Sequence, residues 1–356
     1  MSRRVYLDYN ATAPLCPEAR VAMGAAMDVA GNPSSVHGEG RAAKAVIERA
    51  RAQVAEAVGC QPVEVIFTSG ATEAAAILAG IEPDRDVYVQ DTAHDALWAH
   101  RRAGSGAEGG HVLAMGLANS ETGVITEPGT KPAEGWLHEG HRAERLLLDI
   151  TQAVGRIPFA FSWSAADFAV MSAHKLGGPK GVGALILRRG LDVAPLLAGG
   201  GQEMGRRSGT ENTIGIAGFG AAAEAAARDL SAGVWDRVAE LRNILESALA
   251  SGSKETIFVG KDRARLPNTS CFATTGWKGE TQVMQMDLAG FAVSAGSACS
   301  SGKVRSSRVL AAMGYDEAVS SSAIRVSLGP NTTRDEVDRF TEAWLSKAAK
   351  RTGRAA

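Results

Sequence analysis

The sequence has few cysteines and no excess of charge of either sign. Cys16, Cys60, Cys271 and Cys299 are widely spaced and form no C-x-x-C pair. Four cysteines are too few to stabilise a chain of 356 residues by disulfide bonds, so we expect reduced thiols rather than a disulfide framework. Lys and Arg number 38 against 39 for Asp and Glu. No surplus positive charge is left to hold nucleic acid, and we predict no nucleic-acid partner.

Long apolar runs are also missing. The longest run of small and apolar residues spans 214–223, well short of the ~18 to 20 residues that cross a bilayer. Residues 1–10 pass from two arginines into mixed polar sequence and lack the apolar core of a secretion signal. We therefore expect a soluble, cytoplasmic protein without a membrane partner.

The common metal and nucleotide motifs are absent as well. The stretch His138-Glu-Gly-His141 lacks the spacing of a zinc-binding helix and contains a glycine that weakens a helix. No Walker A pattern occurs, and no G-x-G-x-x-G follows an apolar run. The sequence predicts no metal site.

Glycine and ordinary core-forming residues are plentiful. The chain has 41 glycines in 356 residues, clearly more than the usual ~7%, which indicates many tight turns or close backbone approaches. Hydrophobic residues make up 45% and charged residues 22%, so a substantial core is expected. At about 150 residues per domain, the length indicates one large domain or two interlocked ones.

Short apolar runs alternate with helix-like or turn-rich segments in the first part of the chain. This alternation predicts a mostly parallel sheet covered by helices on both faces. The runs lie at 63–67, 87–89, 112–115, 146–150, 168–171 and 182–187. After a glycine-rich segment the pattern changes to a helical stretch near 234–249 and strands around Ile257, Ser270 and Ile324. A smaller α+β domain is expected to start near residue 230.

Polar residues follow several of these runs. Ligands of open α/β sheets bind at the carboxyl ends of the strands, so these positions are candidate site residues. They lie at 68–73, 90–94, 119–121, 149–152 and 172–175.

Lys175 and Asp149 are the most informative of these residues. Lys175 follows an apolar run and precedes a Gly-Gly-Pro turn, where burial and neighbouring cations would make its amine nucleophilic enough to form a Schiff base. A solvated loop lysine is the simpler interpretation of this position alone. Asp149 emerges from a buried run and needs a cationic partner. The protonated pyridine nitrogen of pyridoxal phosphate (PLP) would suit it, as would a helix N-terminus or an arginine.

The turn at 69–72 joins an apolar run to a helix-like segment. Its backbone N–H groups and the Thr72 hydroxyl are suited to a phosphate at a helix N-terminus. Many α/β proteins contain such a turn.

Taken together, these stretches resemble the cysteine desulfurases of the iron-sulfur assembly type, in the class V aminotransferase branch of the fold type I PLP enzymes. The resemblance runs from Tyr6 to about Phe340. The matching motifs are YLDYNATAP at 6–14, NPSS at 32–35, TSGATE at 68–73, DITQ at 149–152, SAHK at 172–175, RSGT at 207–210, GSACS at 296–300 and AIRVSLG at 323–329.

The resemblance implies a fold and a domain division. The fold would be that of the fold type I PLP-dependent transferases, a mostly parallel, seven-stranded sheet flanked by helices, with a smaller α+β domain. The large PLP-binding domain would span 13–230. The small domain would span 231–356 together with 1–12, and it would carry the catalytic cysteine and the arginine that binds the substrate carboxylate.

The resemblance also implies roles in binding the cofactor. Lys175 would hold PLP covalently and later move the substrate α-proton, Asp149 would pair with the ring nitrogen, and Gln152 would hydrogen-bond the ring hydroxyl. His94 would stack on the ring and take part in proton transfer. A helix-start histidine that faces solvent is the alternative for His94. The implied phosphate ligands are Ala71, Thr72, Ser172, His174 and, from the other subunit of a homodimer, Thr210.

The resemblance also implies which residues of the protein act on the substrate. Cys299 lies among small residues that suit a mobile nucleophile, whereas Cys271 lies in an apolar run and is expected in the core. Cys16 and Cys60 have no chemical context and are interpreted as structural.

Arg325 matches the arginine that binds the substrate carboxylate through a planar fork, with an ordinary ion pair as the alternative. Asn119 and Asn10 are the other implied substrate-binding residues.

The implied activity is removal of sulfur from L-cysteine. It would give L-alanine and a persulfide on Cys299, and the sulfur would pass to an acceptor or scaffold protein. Another class V PLP enzyme, such as a selenocysteine lyase or an aminotransferase, is the nearest alternative. A PLP-binding paralogue with weak or lost turnover is a third possibility, because Ser120 and Ala74–Ala76 replace polar residues that the family usually has.

Overall fold

The chain divides into two compact units. The computed structural model describes residues 4–81, 84–104, 110–129, 131, 133–191, 193–295 and 306–355. The large unit comprises Ala13–Leu117 and Glu127–Leu230, and the small unit comprises Met1–Thr12, Ala118–Thr126 and Ser231–Ala356.

Residues 118–126 are the one segment that the sequence-based division assigned to the other part of the chain. They group with the small unit because their backbone bonds to it: the Ile125 N–H donates to the Ala264 carbonyl at 2.9 Å, and the Leu266 N–H donates to the Gly123 carbonyl at 2.7 Å. Such pairing between distant segments of the chain has no signature in local composition.

The strands, in chain order, are β1 (Val5–Tyr6), β2 (Val65–Thr68), β3 (Val87–Val89), β4 (Val112–Gly116), β5 (Trp136–His138), β6 (His141–Ala143), β7 (Arg145–Asp149), β8 (Phe168–Ser172), β9 (Gly183–Leu187), β10 (Thr256–Phe258), β11 (Thr269–Thr274), β12 (Phe291–Ala292), β13 (Ser294–Ala295) and β14 (Ala323–Ser327).

The α-helices are α1 (Pro17–Met27), α2 (Gly38–Val58), α3 (Ala71–Ala75), α4 (Asp95–Trp98), α5 (Thr213–Ser231), α6 (Val234–Gly252), α7 (Gly279–Leu288), α8 (Arg308–Ala312), α9 (Glu317–Ser320) and α10 (Arg334–Ala355). Short 3₁₀ turns cover Pro62–Glu64, Ala76–Gly80, Ala173–Lys175 and Glu203–Gly205. No helix in the described part of the chain has both the length and the apolar character needed to cross a bilayer.

The large unit is built on a mostly parallel sheet, as the sequence predicts. Its strand order is β2-β9-β8-β7-β4-β3, and only β9 runs antiparallel to its neighbours. The expected count of seven strands is wrong for the described residues, because this sheet has six. The six apolar runs in the sequence account for all of them, and the seventh strand rested on the family resemblance alone.

The first of these strands begins later than its apolar run. Residues Pro62–Glu64 form a 3₁₀ turn, and β2 starts at Val65. The buried Glu64 carboxylate explains the delay, since it accepts the Gln61 N–H at 2.8 Å and the Arg189 N–H at 2.9 Å. These hydrogen bonds hold the backbone in a turn where the apolar pattern alone indicated a strand.

One hydrophobic cluster of the large unit joins the sheet to the segment that follows β2. All residues of β8 and β9 are buried, which is typical of central strands covered on both faces. Ala74 and Ala75 are fully buried in the same cluster. Two of the alanines that replace polar family residues are therefore core residues that allow close packing on the sheet.

The small unit has an antiparallel sheet in the order β10-β11-β14-β13, which agrees with the α+β expectation. The Phe272 and Trp277 rings pack against Trp344 at centroid distances of 5.5 and 5.2 Å. Buried Gln282 accepts the Trp344 indole N–H at 3.0 Å and donates to two backbone carbonyls. These contacts fix α7 and α10 beside Phe272, whereas Leu310 of α8 and Val319 of α9 pack with Cys271 and Ala273. Arg325 lies in the centre of β14.

Candidate functional site

The candidate cofactor residues follow strands that end at one edge of the large-unit sheet. In the register of β7 and β8, Asp149 pairs with Val170. Ser172 at the end of β8 and Thr68 at the end of β2 both pair with Gly183 of β9. The sheet therefore brings the turn after β2, the turn after β7 and the turn after β8 to the same edge.

Asp149 and Lys175 belong to neighbouring turns at this edge. Asp149 is the last residue of β7, is half-buried, and accepts the Thr151 N–H at 2.9 Å through Oδ1. Lys175 ends the 3₁₀ turn that follows β8 and is half-buried. The hydrogen bond to Thr151 fixes the orientation of the carboxylate, so Asp149 is prepared for a cationic partner.

Arg156, which sequence reasoning missed, joins these two turns. Its guanidinium is buried, donates from Nη1 to the Gln152 side-chain oxygen, and donates from Nη2 to the Lys175 carbonyl at 2.8 Å. Gln152 is itself buried. The spacing of four residues between Gln152 and Arg156 is a weak sequence signal, because such pairs face each other only where the chain coils as a helix does.

A second group of candidate residues surrounds the turn after β2. A Cβ added at Gly183 would lie 2.6 Å from the Gly70 Cα, and a Cβ added at Gly70 would lie 3.8 Å from the Ser172 Oγ. The Ser172 hydroxyl therefore lies close to this turn, and β9 can approach the turn this closely only because residue 183 is glycine. Ala71 and Thr72 begin α3 directly after it, and Thr72 is exposed.

His174 is neutral at physiological pH. Burial and the nearby cations of Lys175 and Lys180 lower the pKa of its imidazole to about 4. The His174 carbonyl also accepts the Ala13 N–H at 2.8 Å. A neutral imidazole and two lysines form an environment that favours a phosphate dianion.

The structure places His94 at the start of a helix. It is exposed and caps α4, with Nδ1 accepting the Ala96 N–H at 3.1 Å. Because Nδ1 is an acceptor here, the proton of a neutral imidazole lies on Nε2. This is the helix-start position that the sequence allows as the alternative for His94.

Thr210 is exposed and lies at the end of the RSGT motif. The motif is fixed to the turn after β2 by Arg207, whose Nε donates to Glu73 Oε1 at 2.9 Å. Glu73 Oε2 in turn accepts the Ser69 N–H at 2.7 Å. Because of these interactions, the pKa of the Glu73 carboxyl is lowered despite its partial burial.

The glycine-rich segment before this motif is anchored by a buried ion pair. Glu203 receives 2.7 and 2.8 Å hydrogen bonds from the Arg51 guanidinium and a 2.9 Å hydrogen bond from the Phe67 N–H. Glu203 and Met204 both have positive φ angles, which non-glycine residues rarely adopt. The ion pair to α2 and β2 stabilises this strained turn, and sequence reasoning did not identify it.

The candidate substrate residues lie in the small unit. Arg325 is only 3% exposed. Its Nη2 donates to Asp8 Oδ1 at 2.7 Å and its Nη1 donates to the Ser120 carbonyl at 3.0 Å. The ion pair that the sequence analysis gives as an alternative therefore exists, and it does not use every N–H of the fork.

Asn119 and Asn10 organise the backbone around Ser120. Asn119 Oδ1 accepts the N–H groups of Glu121 and Thr122, both at 2.9 Å. Asn10 is buried, and its Nδ2 donates to the Ser120 carbonyl at 3.1 Å and to Thr269 Oγ1 at 2.9 Å. Both amide hydrogens of Asn10 are thus used within the protein. The assignment of Asn10 to substrate binding stays a prediction.

The cysteines differ in what the structure describes. Cys299 lies outside the described residues. Burial raises the pKa of the Cys271 thiol, raises that of Cys60 to about 12, and raises that of Cys16, whose Sγ accepts the Ala19 N–H at the start of α1. Cys271 is fully buried in the core of the small unit. Because the thiolate is the reactive form, none of these three described thiols is activated.

The residues at the edge of the large-unit sheet fit PLP. They provide an oriented carboxylate for a ring nitrogen, an amine for an aldehyde, and a narrow turn with a hydroxyl and cations for a phosphate. The described residues contain no group of three or more His, Cys, Asp or Glu suited to a metal ion.

Comparisons with known proteins point to one family. The model of the aminotransferase class-V family matches residues 5–103 and 107–340. A cysteine desulfurase of Cereibacter sphaeroides is 39% identical over 373 aligned residues, which cover 95% of this chain and 94% of that protein. A cysteine desulfurase of a Frankia species is 40% identical, with 94% of this chain and 88% of that protein covered.

Solved structures agree with these relatives. A NifS-like protein superposes with a TM-score of 0.85 at 30% identity, and the match covers 97% of this chain and 99% of that one. A NifS-like protein from Rickettsia africae gives the same TM-score of 0.85 at 28% identity. The family match and these relatives extend over nearly the whole length of the chain, which therefore belongs to the aminotransferase class-V family.

Proposed function

We propose that this protein is a PLP-dependent cysteine desulfurase that converts L-cysteine to L-alanine and transfers the sulfur to Cys299. One observation carries the proposal. Asp149 ends β7, Lys175 lies in the turn after the parallel neighbour β8, and Arg156 joins the two turns through Gln152 and the Lys175 carbonyl. The activity named for the two relatives described above supports the same conclusion.

PLP would be held by groups at the edge of the large-unit sheet. Lys175 Nζ would bind the aldehyde carbon, Asp149 would pair with the ring nitrogen, and Gln152 would bind the ring hydroxyl. The phosphate would lie at the turn formed by Gly70, with the groups that surround it as ligands. These groups are Ala71, Thr72, Ser172 and His174.

When bound, PLP would supply an electron-accepting ring that takes up electron pairs released from the substrate. The negative charge of Asp149 would keep the ring nitrogen protonated, which makes the ring a better acceptor. Lys175 Nζ would remove the substrate α-proton, and His94 Nε2 would take part in further proton transfer. Arg325 would orient the substrate through its carboxylate.

Cys299 would receive the sulfur. Its Sγ, as a thiolate, would form a bond to the substrate sulfur while the substrate carbon–sulfur bond breaks. The product carbon would then take a proton and leave as part of alanine. Mass balance requires that one persulfide sulfur remain on Cys299 for each alanine formed. The raised pKa values of Cys16, Cys60 and Cys271 make these residues poor substitutes for Cys299.

The wider assembly remains a prediction. Thr210 would bind the phosphate of the other subunit in a homodimer, and its exposed position at the end of the RSGT motif allows this. The persulfide would pass its sulfur to an acceptor or scaffold protein.

The test is product analysis of PLP-loaded protein incubated with L-cysteine in the presence of a thiol reductant. We expect alanine and sulfide in equal amounts, loss of both with Cys299→Ala, and retention of both with the matched control Cys16→Ala. Transfer of the amino group to a 2-oxo acid without release of sulfide would identify an aminotransferase instead. Turnover of selenocysteine but not of cysteine would identify a selenocysteine lyase, and bound PLP without any turnover would identify a paralogue that has lost its activity.

A further inference from the structure

Arg325 is buried in the middle of the small-unit sheet. It lies in β14, where it pairs with Cys271 of β11 on one side and with Ser294 of β13 on the other. A guanidinium that is 97% shielded from solvent would lose several kcal/mol of hydration without partners. The groups that contact it therefore determine both its stability and its orientation.

Two of the three guanidinium nitrogens have protein partners. Nη2 donates to Asp8 Oδ1 at 2.7 Å, and Nη1 donates to the Ser120 carbonyl at 3.0 Å. Nε is buried and has no hydrogen-bond partner among the residues that the structure describes. Asp8 thus contacts the fork through one nitrogen only. Nε and Nη2 share one edge of the guanidinium, so this contact leaves the Nε–H of that edge as an unpaired donor for a carboxylate oxygen.

Asp8 is held firmly on its other side. Its Oδ2 accepts the Ser294 hydroxyl at 2.8 Å, and Ser294 stands directly opposite Arg325. The backbone on both sides of Asp8 is also fixed, because Ser327 N–H donates to the Leu7 carbonyl and Tyr9 N–H donates to the Ser327 carbonyl. A carboxylate held in this way can set the direction of the Arg325 fork.

We propose that Asp8 is a positioning residue, which fixes Arg325 through Nη2 so that the Nε–H is presented to the carboxylate of an amino-acid substrate. The inference deepens the proposed function and rests on its assignment of Arg325 to the substrate carboxylate. Asp8 also keeps the buried guanidinium paired when no substrate is bound.

The test compares two amines that differ only in the carboxylate, L-alanine and ethylamine. Each is titrated into the PLP-loaded protein, and the visible absorbance change gives the half-saturating concentration. The variants are Asp8→Ala, which removes the acceptor, and Asp8→Asn, which keeps an acceptor oxygen for Nη2. Asp287→Ala is the matched control, since Asp287 pairs with Arg4 at an exposed site.

We expect Asp8→Ala to raise the half-saturating L-alanine concentration about tenfold or more, as loss of one charge-assisted contact implies. Ethylamine binding should change less than about twofold. Asp8→Asn should restore most of the preference for L-alanine, and Asp287→Ala should match the unmodified protein. With L-cysteine, the effect of Asp8→Ala should fall on KM rather than kcat, because the contact is made before the chemical step.

Several results would overturn the proposal. Asp8→Ala could weaken the binding of both amines equally, or it could tighten the binding of L-alanine, which would make Asp8 a competitor of the substrate. The unmodified protein could also show no preference for L-alanine over ethylamine. If Asp8→Ala does not fold, Ser294→Ala, which frees Asp8 Oδ2, must still weaken L-alanine selectively. Preference for L-alanine without sulfur release from cysteine would refute the desulfurase assignment and leave the role of Asp8 standing.

Discussion

The two groups of candidate site residues are built in opposite ways. In the large unit, the groups follow the ends of strands, and Thr72, His94 and Thr210 remain exposed. In the small unit, Arg325 and Asn10 are almost fully buried and are bound to other protein groups. The cofactor region thus includes exposed side chains after the ends of strands, whereas the carboxylate region is a buried network in which one N–H of Arg325 lacks a described partner.

This difference shows how function is distributed over the residues. Where side chains are presented at the ends of strands, a substitution should remove the role of that residue alone. Where side chains hold one another, a substitution should also disturb stability, because a buried polar group left without its partner costs about 1 to 3 kcal/mol.

Replacing Lys175 should give the largest effect. Lys175→Ala removes the amine that binds the cofactor and moves the α-proton, and we expect alanine formation from L-cysteine to fall about 10³-fold or more. Lys180→Ala is the matched control, since this exposed lysine lies in the same segment, and it should reduce the rate less than about tenfold. Similar losses in both variants would mean that the segment supplies charge rather than one specific amine.

Arg156→Met should combine a loss of stability with a loss of function. The substitution leaves the Gln152 side-chain oxygen and the Lys175 carbonyl without their buried donor. We expect the free energy of unfolding to fall by about 2 to 4 kcal/mol and the affinity for PLP to fall with it. Denaturant unfolding and fluorescence titration with PLP measure the two effects. A stability loss with unchanged PLP affinity would refute the role of Arg156 in holding the cofactor turns.

Two substitutions in the hydrogen-bond network of the small unit should differ in their cost to the free energy of unfolding. Asn10→Ala leaves the Ser120 carbonyl and the Asn268 side chain each without one hydrogen-bond donor or acceptor and should cost about 2 to 3 kcal/mol. Ser120→Ala should cost less than about 0.5 kcal/mol, since Arg325 and Asn10 both contact the backbone carbonyl of Ser120. Equal costs in denaturant unfolding would contradict this account.

Replacing His174 should have a smaller effect on stability, and this effect should depend on pH. The pKa of His174 is lowered from 6.5 to about 4 in the folded protein, so the unfolded chain binds the proton more readily. The stabilisation by neutral His174 is complete above pH ~6.5 and is lost as the pH falls towards ~4. Because the residue is partly exposed, solvent screens this effect. We therefore expect the free energy of unfolding to fall by only about 1 to 2 kcal/mol over this pH range. In the apo-protein, His174→Gln should flatten the dependence of unfolding free energy on pH across this window. An unchanged slope would contradict the lowered pKa.

The sequence predicted the sheet better than the contacts made by its site residues. The apolar runs located the strands of the large unit because buried strands need such runs, and the polar residues after them marked the edge where Asp149 and Lys175 lie. Arg156, Asp8 and the Ser120 carbonyl were missed. Arg156 acts through a backbone carbonyl, Asp8 is more than 300 residues from Arg325 in the chain, and a backbone group has no side-chain signature. The substrate-binding roles of Asn10 and Asn119 rest on the family resemblance and stay predictions.

The most direct test of the central claim is peptide mass spectrometry of the PLP-loaded protein after incubation with L-cysteine, without a reductant or a sulfur acceptor. The account predicts one added sulfur atom on the peptide that contains Cys299, in an amount equal to the alanine released, and none on the peptides that contain Cys16, Cys60 or Cys271. Alanine release with an unmodified Cys299, or with the added sulfur on another cysteine, would contradict it.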